Sequence, residues 1–112
     1  MRGHQVQSKS VRFEVLVNGE RRCVAGVGEF GVVSATVDWV ARHPAYRPSD
    51  YSPEAWSGER LSFRVGGLHA QRGDEHLTWA FGDLAVGDEV LIRVLGPGEH
   101  DEPLPTASVR FT

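Results

Sequence analysis

The chain has 112 residues, 40% hydrophobic and 24% charged, with a net charge of -3. That is enough apolar material for one core and too little chain for a second, and global disorder is excluded. Residues 1–48 carry seven basic and four acidic groups and residues 49–112 carry five and eleven. Arg21-Arg22 is the only adjacent basic pair, so the Lys/Arg cluster that neutralises a phosphate backbone is missing and nucleic acid is not an expected partner.

Cys23 is the single cysteine, which excludes an intrachain disulfide and a thiolate metal cluster built by this chain alone. A polar N-terminal segment without an apolar run, and no stretch of membrane-spanning length, point to a cytoplasmic protein without a membrane partner. Residues 1–10 read as a flexible segment and 11–112 as one domain.

Val11, Phe13, Val15 and Val17 alternate at period two, the pattern of a half-buried strand. Asn18-Gly19 follows, the pair that best tolerates the two positive φ angles of a type I′ turn, so residues 21–27 should return as the antiparallel partner with Cys23, Ala25 and Val27 on one face. The glycines at 26, 28 and 31 mark a corner. In residues 32–41, Val33, Ala35, Val37 and Trp39 alternate with Ser34, Thr36 and Asp38. A helix is the competing reading, but four valines and a threonine favour a third strand.

Residues 42–58 lose all periodicity. Prolines at 44, 48 and 53 prevent regular structure, and connections beyond about 12 to 15 residues inside a small domain tend to be functional or disordered. This loop carries Tyr46, Arg47, Tyr51 and Trp56. Its rings serve either as a binding surface or as a plug over one end of the core, Trp56 being the best candidate plug.

Leu61, Phe63 and Val65 resume alternation, Gly66-Gly67 suggests a bulge or bend, and residues 68–81 read as a second hairpin turning within 71–75, with Leu77, Trp79 and Phe81 on its apolar face. A tight turn at 84–89 feeds a strand through Val90, Ile92 and Val94. The acidic, proline-rich stretch 97–105 reads as a solvated loop, and Ala107, Val109 and Phe111 suggest a seventh strand. Six to seven short strands imply an all-β antiparallel sandwich, with Trp39, Trp79, Phe13, Phe63 and Phe81 filling its interior. The alternatives are a partly open barrel, or an α+β fold if residues 32–41 are helical.

Catalytic parts are sparse. No Gly-x-Ser-x-Gly motif occurs, and Cys23 sits among valines in a strand, the position of a small core residue. Asp88-Glu89 and Asp101-Glu102 point to opposite faces as strand neighbours and read as solubilising charges. Arg72-Gly73-Asp74 is ordinary turn chemistry. His69 and His76 would stand opposite each other if the second hairpin turned at Arg72-Gly73, close enough to share a metal ion, although a shift of one residue separates them.

The expectation is therefore a non-enzymatic binding module without cofactor, recognising another protein through Tyr46, Arg47, Tyr51 and Trp56 as an accessory, adaptor or immunity-type protein. The alternative is a small-molecule or carbohydrate site built on the loop aromatics. A homodimer through a sheet edge is also foreseen, residues 11–17 and 106–112 being the candidate edges.

Overall fold

The computed structural model describes residues 10–28, 30–70 and 75–105. Six strands run in chain order as β1 (Arg12–Val17), β2 (Glu20–Ala25), β3 (Gly31–Ala41), β4 (Glu59–His69), β5 (Glu75–Asp83) and β6 (Val90–Leu95). They form two three-stranded antiparallel sheets, ordered β2-β1-β6 and β3-β4-β5. The protein is thus an all-β sandwich rather than a closed barrel, and residues 31–41 are strand, not helix. The suggested seventh strand lies outside the described residues.

The β1–β2 turn takes the expected form, with φ of 52° at Asn18 and 83° at Gly19. The chain passes between sheets after β2 and again after β5. The long loop does not cross, because β3 and β4 are one hairpin paired from Gly31↔His69 to Ala41↔Glu59. Nor is β1 an edge, since it pairs with both β2 and β6, which removes residues 11–17 as a surface for a second copy.

β4 runs unbroken through Gly66 and Gly67, and the expected bulge falls at Val65/Gly66 in its pairing with β5. A Cβ on Gly67 would meet the Val32 carbonyl oxygen at 1.9 Å and one on Gly66 would meet the Leu77 oxygen at 2.8 Å, so neighbouring backbones close over both positions. The irregularity lies in the pairing with β5: the register passes from Val65↔Ala80 to Gly66↔Thr78, leaving Trp79 as the extra residue of a bulge. That single residue reverses the alternation. Leu77, Trp79 and Ala80 are buried, while Phe81 moves to the outer face opposite Arg64, contrary to the expectation that it fills the core.

The core is Val15, Val17, Cys23, Ala25, Val27, Phe63, Val65, Leu77, Trp79 and Ala80, with Phe13, Val33, Ala35, Leu84 and Val90 packed against it. Each large member contributes about 1.5–3 kcal/mol through burial. The side of the sandwich made by β2 and β5 is closed by residues 101–104. Asp101 exchanges hydrogen bonds with Val24, Trp79 Nε1 donates to the Asp101 carbonyl at 2.8 Å, and Leu104 N donates to Thr78 O at 2.7 Å. Arg12 holds the preceding return by donating to the carbonyls of Gly96 at 2.6 Å and Glu99 at 2.8 Å. The stretch is irregular and largely exposed, as expected of a solvated loop, but these bonds also make it a structural strap.

The opposite side is open. β3 and β4 have 11 residues each, whereas β1, β2 and β6 have six, so the β3–β4 hairpin overhangs the other sheet. Val33 and Ala35 reach the core, but Val37 and Trp39 on the same face do not, and Trp39 is 63% exposed instead of filling the interior. On β6, Ile92 and Val94 pair with the core-facing Val15 and Phe13, yet both are exposed.

Candidate functional site

The loop 42–58 leaves the overhanging end of the β3–β4 hairpin and is closed at its neck by Arg42 N donating to Gly58 O at 2.7 Å. Gly58 has φ of 72°, and a Cβ there would meet both the Arg42 oxygen and the Trp56 ring at 2.9 Å, so the neck needs a glycine. Inside the loop, local bonds replace regular structure. His43 Nδ1 accepts from Ala45 N at 3.0 Å ahead of a 3-10 turn at Pro44–Tyr46, where proline's fixed φ suits the first position.

Further turns follow. Tyr51 N donates to Pro48 O, Ala55 N and Trp56 N donate to Ser52 O, and the Arg47 guanidinium donates to the Tyr51 carbonyl. Ser57 Oγ accepts from Glu59 N at 3.1 Å, and Trp39 Nε1 donates to Glu59 Oε2 at 2.7 Å, tying the exposed indole to the loop's return.

None of the loop's rings belongs to the core. Tyr46 projects from the 3-10 turn and is 73% exposed, Tyr51 is 48% exposed, and Trp56 is half-buried against Gly58 within its own loop. The rings do not share one platform. Tyr51 and Trp56 line a cleft of about 580 Å³ with Arg42, Glu59, Arg60 and Asp83, whereas Tyr46 and Trp39 lie outside it. Two cations and two carboxylates on the walls give the cleft paired donors and acceptors around two aromatic faces. The loop itself was legible in the sequence; Arg42, Glu59, Arg60 and Asp83 were not, because they meet only once β4 and β5 pair.

The histidines separate. His69 pairs with Glu75 and His76 with Leu68, so the register is one residue from the one that would set them opposite each other, and they fall on different faces. No group of three or more metal-ligating side chains occurs among the described residues. Burial, with the Asp101 charge adding to it, pushes the Cys23 thiol up to about 11. It stays protonated at neutral pH, unsuited to nucleophilic attack.

Among the described residues no helix is long and apolar enough to cross a membrane. No protein-family model, curated protein or solved structure matches the chain.

Proposed function

We propose that the chain is a non-enzymatic interaction module that binds another protein through the 42–58 loop. The observation that carries this reading is the pair of exposed rings, Tyr46 and Tyr51, on a loop whose backbone is held by successive turn hydrogen bonds and by Arg47. Tyrosine offers a large contact area with few rotors to freeze, and a loop already ordered loses little entropy on docking.

A second reading rests on the cleft. Tyr51 and Trp56 beside Arg42, Arg60, Glu59 and Asp83 supply stacking faces and hydrogen-bonding groups for a small polar molecule such as a saccharide.

Affinity capture with the wild-type chain and with the Tyr46→Ala/Tyr51→Ala double variant tests the first reading. A protein retained by the wild type and lost by a double variant of unchanged thermal stability is the expected result. If no protein is retained, and saccharides shift the fluorescence of wild type but not of Trp56→Ala, the second reading replaces the first.

A further inference from the structure

The strap bonds to two of the four sheet edges, Asp101 to β2 at Val24 and Leu104 to β5 at Thr78. No described residue pairs with the outer edge of β3 or β6. β3 is the longer, with 11 residues against six.

The direction of its free hydrogen-bonding groups follows from the bonds flanking the ladder. Arg42 N donates to Gly58 O and Ala70 N to Phe30 O. Both pairs continue the β3–β4 register, in which bonded pairs recur every second residue. Even-numbered residues of β3 therefore bond to β4, and the N–H and C=O groups of Val33, Ala35, Val37 and Trp39 face outward.

We infer that β3 is the dimerisation edge of this protein, pairing antiparallel with β3 of a second copy about a two-fold axis through Thr36. Only this register pairs the strand over its whole length. It sets Val33 against Trp39, Ala35 against Val37, Val32 against Val40 and Thr36 against itself, joining two three-stranded sheets into one of six.

The outward groups then bond to one another, and the exposed Val37 and Trp39 continue an apolar row into the second copy. Asp38, the strand's only charge, lies opposite Ser34, so no like charges meet. The edge also carries none of the lysines or prolines that block sheet extension.

Size sets the strength. A strand of this length is about 36 Å long and about 10 Å deep across both faces, which gives roughly 700 Å² over two copies. The two Trp39 rings bring the total to about 1,000 Å², the lower limit of a specific interface and the size of a reversible dimer. A closed two-fold pair leaves no second β3 edge for further growth.

Sedimentation of the full chain tests this, with a dimer expected at several hundred micromolar and a monomer at about 1 µM. In the two-fold register position 36 is a non-hydrogen-bonded pair with Cα atoms about 4.5 Å apart, within disulfide range. Thr36→Cys should thus cross-link on mild oxidation, whereas Ser34→Cys, facing Asp38, should not; Cys23 is buried and does not compete.

Val37→Pro removes a donor only from the free edge, so it should weaken the dimer at least about tenfold while the folded β signal persists. A single monomeric species at about 1 mM, or cross-linking of Thr36→Cys no better than that of Ser34→Cys, overturns the assignment.

Discussion

Asp101 grips Val24 from both directions: its carboxylate accepts the Val24 N–H at 2.8 Å, and its own N–H donates to the Val24 carbonyl at 2.8 Å. One acidic residue in an irregular stretch thereby caps the edge of β2 at Val24, and its carbonyl accepts from the Trp79 indole. The strap thus links β2 of one sheet to β5 of the other.

Asp101→Ala should leave the buried Val24 N–H without its acceptor and cost about 1–3 kcal/mol. Urea unfolding of the variant against wild type measures this. A change under about 0.5 kcal/mol, the size of an ordinary surface substitution, would show that the strap is dispensable.

The two tryptophans on strands β3 and β5 should behave oppositely. Trp79 is 4% exposed and Trp39 is 63% exposed. Trp79→Ala should destabilise by about 3–5 kcal/mol, a large part of the stability of a domain this size, while Trp39→Ala measured as a dilute monomer should cost under about 1 kcal/mol. Thermal unfolding of both variants makes the comparison, and equal losses would contradict the overhang of the β3–β4 hairpin.

Asp88 locks the turn before β6 by accepting from Ala85 N at 2.7 Å and from Asn18 Nδ2 at 3.0 Å. These bonds favour the carboxylate, the Ala85 bond foremost, and hold it below its ordinary value. Because the folded state binds this proton less readily than the unfolded chain, the stabilisation is present above the ordinary carboxylate range and is lost as pH falls through the lowered value. The melting temperature of wild type should exceed that of Asp88→Ala near neutral pH, and the gap should narrow in acid. A gap independent of pH would assign the effect to turn geometry alone.

Cys23 has the reverse linkage. Its thiol ionises at about 9.0 when exposed and about 11 when folded. Stability should be flat below about pH 9 and decline as pH rises between the two values, since only the unfolded chain then loses the proton. At pH 8 a thiol reagent should modify native protein at least about a hundredfold more slowly than urea-unfolded protein, two pKa units being a hundredfold in thiolate. Rapid native labelling would place Cys23 outside the core.

The sequence alone determined what depends on neighbours along the chain. Alternation in Val11–Val17 and in Val33–Trp39 specified strands, Asn18-Gly19 specified a turn with two positive φ angles, and the prolines of 42–58 kept that segment irregular. Each follows from local sterics and a period of two.

Tertiary structure decided what depends on which residues face one another. The bulge at Trp79 put Phe81 on the face opposite to Leu77, because an extra residue in one strand is visible only against its partner. Unequal strand lengths left Trp39 exposed although its pattern matches that of Ala35, since alternation specifies a face and not what covers it. Asp101, read along the chain as a solubilising charge, became the clasp of an edge because a hydrogen bond spanning 77 positions has no local signature.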